Sequence, residues 1–139
     1  MIDHVLPAGY RFSAVASGIK KSKKLDMGLI VSDCAANCAG VFTRNQVIAA
    51  PLVVTRPRIA AGRCQAILVN SGNANACTGA EGIQRAEQTV ALTAAGLGID
   101  KDLVAVSSTG VIGVPLPIFP FESAIPQLVD DLHPGSAEA

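Results

Sequence analysis

Tryptophan is missing from this 139-residue chain, and aromatic residues make up only 4% of it. A core built here has to come from Val, Ile, Leu and Ala, which suits layered α/β packing. No apolar stretch approaches ~18 residues without a charge or a breaker, so no membrane-spanning helix is expected. Met1-Ile2-Asp3-His4 lacks the basic n-region and apolar run of a secretory signal. Histidine is confined to His4 and His133, near the two ends. That leaves a Ser/His/Asp triad without a central histidine. It also leaves Cys34 and Cys38 without a second ligand pair for zinc. The cysteines, Cys34, Cys38, Cys64 and Cys77, are read as reduced thiols acting as small buried hydrophobes. Phosphate-binding Gly-x-x-x-x-Gly-Lys-Ser/Thr, dinucleotide-binding Gly-x-Gly-x-x-Gly, Gly-x-Ser-x-Gly and His-Glu-x-x-His are all absent.

Half of the residues are hydrophobic, enough for a core and too many for a disordered chain. The net charge is zero but unevenly placed. Residues 1–63 hold nine Lys/Arg against three Asp/Glu, and residues 64–139 hold two against eight. Such a division either steers an anionic substrate or reflects two solvated surfaces. Lys20, Lys21, Lys23 and Lys24 form an exposed turn. Nucleic-acid binding would call for more basic surface and stacking aromatics.

The apolar pattern predicts strands at 12–17, 27–32, 65–69 and 103–106. A hairpin partner for the second is expected at 38–43, across a loop at 33–37. Residues 49–61 read as a short helix opened by Pro51 and broken or kinked by Pro57. Thr78 and Glu81 have capping-box spacing, ahead of Ile83, Ala86, Val90, Ala94 and Leu97 on one helical face, with Gly96 and Gly98 as the stop. A last helix is expected at 121–132 despite Pro126. No repeat, low-complexity tract or linker interrupts residues 1–139, which read as one piece.

Two loops follow strands and are candidates for chemistry. Residues 70–79 (N-S-G-N-A-N-A-C-T-G) offer three asparagine amides, which either meet a ligand or cap backbone groups in a structural turn. Residues 107–113 (S-S-T-G-V-I-G) place the hydroxyl of Thr109 beside the backbone N–H of Gly110. Two such donors aimed at one point stabilise a tetrahedral oxyanion, at roughly 3–4 kcal/mol per donor. A plain strand-to-loop turn uses the same residue types.

Five stretches together resemble the ornithine acetyltransferase (glutamate N-acetyltransferase) family. They are G-Y-R-F-S-A-V-A-S-G-I-K (9–20), D-M-G-L-I-V-S-D (26–33), A-G-V-F-T-R-N (39–45), V-N-S-G-N-A-N-A-C-T-G (69–79) and S-T-G-V-I-G-V-P-L-P (108–117). The resemblance spans nearly the whole chain and identifies it as the N-terminal portion of such an enzyme's α-subunit. It implies an α/β fold, an αββα sandwich completed by the β-subunit of a self-cleaving precursor, assembled as α2β2. It implies ping-pong acetyl transfer from N-acetylornithine to glutamate in arginine biosynthesis, in the cytoplasm. Some members also use acetyl-CoA. Thr109 and Gly110 match the family's oxyanion pair, and no metal or organic cofactor is implied. The nucleophile is the threonine that begins the β-subunit, beyond Ala139, so this chain alone is expected to be inactive. Pro117-Ile118-Phe119-Pro120-Phe121 is richer in proline and aromatics than the family pattern. The rival readings are a stand-alone small-ligand-binding module and an inactive structural homologue.

Overall fold

A computed structural model describes residues 6–134. Four strands, β1 (Tyr10–Val15), β2 (Met27–Asn37), β3 (Arg63–Asn73) and β4 (Val104–Val111), form one sheet in the order β1-β2-β3-β4. The first two pairings are antiparallel and β3–β4 is parallel. Helices α1 (Ala50–Ala60), α2 (Gly79–Leu97) and α3 (Phe119–Asp130) supply the second layer. A parallel pair needs a crossover, and α2 is that crossover.

Strand alternation decides which face is covered. Val15, Met27, Leu29, Val31, Ala66, Leu68, Val104 and Val106 join Val54, Val90, Phe121 and Leu128 of the helices in one buried core. Burying each larger side chain contributes about 1.5–3 kcal/mol. The opposite face carries the register row Phe12–Ile30–Ile67–Ala105. Among the described residues no helix crosses it, and Ile67 is 38% exposed. The fold is α/β as expected, with one helix layer and one sheet layer of an αββα sandwich on view.

Several expectations need correcting. Residues 38–43 are not a strand. Instead β2 continues through 33–37 and, after a register shift between Val31 and Ala36, pairs Ala36 with Cys64 and Asn37 with Arg63. The antiparallel partner is therefore β3, reached through α1. The segment after Cys38 runs beside α1, where Arg56 lies 5.2 Å from the Phe42 ring centroid and donates to the Thr43 carbonyl. Pro57 does not break α1, and Pro126 does not break α3. In each helix the proline and the residue four before it, Val53 or Glu122, are exposed. The missing hydrogen bond thus falls on the wet side. The last helix begins and ends two residues earlier than expected. β1 likewise spans Tyr10–Val15 rather than 12–17, because Ser17 turns away to bond Asp26.

In α2 the stop is Gly98, with φ +67, while Gly96 lies inside the helix against Ile125 and Val129 of α3. Ala86, Val90 and Ala94 are buried as expected and Leu97 packs against the core, but Ile83 is 39% exposed. No capping box forms. The Thr78 hydroxyl donates to Asn75 Oδ1, and Glu81 pairs with Arg85. The cysteines are not buried small hydrophobes either. Cys34 and Cys77 are exposed, and Cys38 and Cys64 are half-buried. Lys21, Lys23 and Lys24 are exposed, whereas Lys20 is half-buried. His4 lies outside the described residues. His133 forms a backbone bridge with Phe12.

The outer edge of β4 is capped by a side chain. Thr55 Oγ1 of α1 donates to the Val106 carbonyl and accepts from its N–H, both at 2.9 Å. Thr55→Val keeps the shape and strands both buried backbone groups. It is expected to cost about 1–3 kcal/mol, while Thr55→Ser retains most of the stability. Urea unfolding of the three proteins checks this.

Candidate active site

The two candidate loops turn out to be the ends of neighbouring strands. β3 runs on to Asn73 and β4 to Val111, in the parallel register Asn70↔Ser108, Ser71↔Thr109, Gly72↔Gly110 and Asn73↔Val111. Gly110 has φ +130. A Cβ there would lie 2.6 Å from Asn73 N and 2.8 Å from Gly72 Cα, which is backbone that cannot step aside. Only glycine allows β4 to close against β3 at this point.

The asparagine segment is the scaffold of this junction. Asn70 Nδ2 donates to the Asn73 carbonyl at 2.9 Å, and Asn70 Oδ1 accepts from Ser108 Oγ at 2.6 Å, tying β3 to β4. Asn73 Oδ1 accepts from Asn75 N, and its amide donates to the Val114 and Pro115 carbonyls. Asn75 is fully buried, donating to Gly82 O and accepting from Thr78 Oγ1. Ala74 N–H to Val111 O and Gly113 N–H to Ala76 O complete the lacing. The side chains of Asn70, Asn73 and Asn75 are thus each bonded to protein through both nitrogen and oxygen. That is the structural-turn alternative, and it takes these amides out of contention as ligand contacts.

Thr109 and Gly110 are different. Both are exposed, and among the described residues the Thr109 hydroxyl has no hydrogen-bond partner. Ser108 points to the helix side, where Asn70 holds it. Alternation therefore places Thr109 on the helix-free face of the sheet. Val106 turns its N–H and carbonyl outward to Thr55. The same two-residue period carries the Gly110 N–H to the outer edge, beyond Thr55's reach. Thr109 thus lies on the open face, and the neighbouring Gly110 N–H lies at the open edge. Val111, Ile112 and Val114, 57%, 64% and 48% exposed, give this end of β4 an apolar margin. A depression of about 240 Å³ lies on the open face beside it, lined by Ala14, Leu25, Gly28, Val69 and Ser71 among others.

One residue that organises the site was not singled out in the sequence. Asp26 is 3% exposed. Its carboxylate accepts from Ser17 N–H at 2.6 Å, Ser17 Oγ at 2.8 Å and Lys20 N–H at 2.7 Å, and its carbonyl accepts from Ser71 N–H at 2.8 Å. Burial pushes the carboxyl's pKa up, but the hydrogen bonds from Lys20, Ser17 and Gly18 outweigh it, and the net result is a lowered value. The sequence carries no local signal for it, since Asp26 follows the lysine turn and only the fold buries it.

This architecture is that of the ornithine acetyltransferases. The Mycobacterium tuberculosis ornithine acetyltransferase, solved in complex with ornithine, superposes with a TM-score of 0.90 at 41% identity, covering 94% of this chain and 70% of that one. The Bacillus halodurans arginine biosynthesis bifunctional protein ArgJ superposes at 0.83 with 44% identity, covering 86% and 63%. Residues 11–139 match the ArgJ family, and the chain belongs to that family. Among curated relatives, the arginine biosynthesis bifunctional protein ArgJ of Syntrophotalea carbinolica is 60% identical over 124 residues, 89% of this chain. That of Geobacter sulfurreducens is 50% identical over 129 residues, 93% of this chain. The chain spans 32% of the length of each of these two relatives. No helix among the described residues is long and apolar enough to cross a membrane.

The lowered Asp26 pKa has a signed consequence. The ionised form is favoured by folding, so its contribution is present above the ordinary value of 3.8 and is lost as pH falls from there through the folded value. Asp26→Asn is expected to be less stable than wild type at pH 7 and to lose less on acidification to pH 3. Urea midpoints across that pH range read the difference.

Proposed function

We propose that this chain is the N-terminal portion, within residues 1–139, of the α side of an acetyltransferase that moves acetyl from N-acetylornithine to glutamate in arginine biosynthesis. Thr109 and Gly110 are its oxyanion donors. The observation that carries this reading is the unpartnered Thr109 hydroxyl set beside the Gly110 N–H at an accessible corner. The family's substrates and the ornithine bound by the mycobacterial protein agree with it.

The chemistry then has two similar halves. A threonine hydroxyl from the β-subunit, deprotonated by its own α-amine, attacks the acetyl carbonyl of N-acetylornithine. The carbonyl oxygen becomes an oxyanion, and Thr109 O–H and Gly110 N–H hydrogen-bond to it. Collapse breaks the C–N bond, and ornithine leaves with the proton, giving an acetyl-threonine ester. The glutamate amine attacks that ester through a second oxyanion at the same donors; collapse breaks the ester C–O bond, the amine's proton passes to the threonine oxygen, and N-acetylglutamate leaves. Acetyl-CoA can enter the first half in place of N-acetylornithine in some family members. No metal or organic cofactor takes part.

The helix-free face supports the two-chain arrangement. The Phe12–Ile30–Ile67–Ala105 row is apolar and suits a second sheet. We assign that sheet to the rest of the protein, including a β-subunit released by self-cleavage, in an α2β2 cytoplasmic enzyme. The chain by itself is inactive in this reading. The stand-alone binding module would use the asparagine-rich and the Thr-Gly loops together, and the asparagine amides are already bonded within the protein.

Expressing the complete gene product tests the reading. Two fragments by mass spectrometry, the second beginning with threonine, are expected, together with acetyl transfer to glutamate. Thr109→Ala should lower turnover by about 100- to 1,000-fold, the loss of one oxyanion donor, with cleavage less affected. Unchanged turnover would remove Thr109 from the mechanism.

A further inference from the structure

A second hydroxyl stands next to Thr109 on the sheet, and the steps above do not use it. Ser71 is the register partner of Thr109 across the parallel β3–β4 seam. Residues paired across neighbouring strands lie about 4.8 Å apart and turn their side chains to the same face. One residue earlier the pair is Asn70 and Ser108, and there the two side chains meet, Ser108 Oγ donating to Asn70 Oδ1 at 2.6 Å. That bond lies on the helix side. Alternation then sets Ser71 and Thr109 side by side on the helix-free face.

The main chain of Ser71 is fixed, while its hydroxyl is unspent. Its N–H donates to the Asp26 carbonyl at 2.8 Å, and the next residue, Gly72, packs against Gly110. Asn70, Asn73, Asn75 and Thr78 of the same segment all spend their side chains on protein partners. Ser71 does not. Among the described residues its hydroxyl has no hydrogen-bond partner. Ser71 is half-buried and lines the depression of about 240 Å³ on the open face.

A hydroxyl has one proton to donate and two sites at which to accept. When Thr109 gives its proton to the oxyanion, both acceptor sites of its oxygen are left over. An O–H directed at that oxygen strengthens the donation, because hydrogen bonds in a chain polarise one another. It also turns the Thr109 proton away from Ser71, toward the substrate. We propose that Ser71 is a positioning residue whose hydroxyl donates to Thr109 Oγ1 and so aims the Thr109 hydroxyl at the reacting carbonyl. The proposal rests on the oxyanion role given to Thr109 in acetyl transfer.

A double-mutant cycle in the complete gene product tests it, with wild type, Ser71→Ala, Thr109→Ala and the double variant. Ser71→Ala should lower kcat by roughly 3- to 10-fold, the worth of one net hydrogen bond, with KM for N-acetylornithine near wild type. In the Thr109→Ala background the same substitution should change kcat by less than about twofold, because the group through which Ser71 acts is gone. Ser71→Thr, which keeps the hydroxyl, should restore most of the loss. A serine with a merely structural role would lower kcat by the same factor in both backgrounds. That additivity overturns the proposal, as does an unchanged kcat in Ser71→Ala, and either leaves the function standing. If Ser71→Ala does not fold, Ser71→Cys, close in shape and a weak donor, completes the same cycle. A wild-type product without acetyl transfer, or Thr109→Ala with full turnover, overturns the reading of Thr109 itself, and the proposal with it.

Discussion

The parallel seam between β3 and β4, and the backbone-to-backbone contact of Gly72 with Gly110 at its end, set the geometry of everything functional in this molecule. A parallel pair cannot be closed by a tight turn. It is closed here by α2, whose entry is built from Asn75, Thr78 and Gly82. The same segment that starts the helix therefore also fixes the strand ends. Glycine at position 110 has two effects. It accepts a φ of +130, and it lets two backbones meet without a side chain between them.

From that seam the neighbouring features follow. Ser108 is drawn to the helix side by Asn70, which leaves Thr109 facing the other way. Asn73 holds the carbonyls of Val114 and Pro115, and Arg85 donates to the Leu116 carbonyl. The chain after Gly110 is therefore pinned along a defined course rather than left as a loose loop. On the β2 side, Asp26 joins the Lys20 turn to Ser71 through its side chain and main chain together. Rigid support around a small exposed pair of donors is what electrostatic preorganisation demands. Donors that must reorient as charge develops lose much of their effect.

How much of this could be read from the sequence varied with the kind of interaction. Runs such as Q-A-I-L-V and L-V-A-V identified β3 and β4, because a buried strand advertises itself locally. The ends of those strands were hidden, because asparagine, serine and glycine favour turns by themselves and join a strand only when a partner is present. The hairpin assigned to 38–43 failed for a similar reason. β2 found its partner across α1, and local alternation carries no information about distant pairing. Thr78 and Glu81 had the spacing of a capping box, yet tertiary partners, Asn75 and Arg85, won both side chains. Prolines inside α1 and α3 were tolerated because they face solvent, which the sequence does not state. Thr109 and Gly110 were singled out as a pair by their chemistry and the family resemblance. Asp26 was not, since only the fold brings it to Ser71.

In the proposed reaction Thr109 and Gly110 point at the acetyl carbonyl as it reacts. Isotope-edited infrared spectroscopy of the acetylated complete protein tests this most directly. Two donors on the carbonyl oxygen weaken the C=O bond, so the ¹³C-sensitive ester band should lie below that of a free acetyl ester, and should return toward it in Thr109→Ala. An acetyl band at the free-ester position, unmoved by Thr109→Ala, would contradict the account.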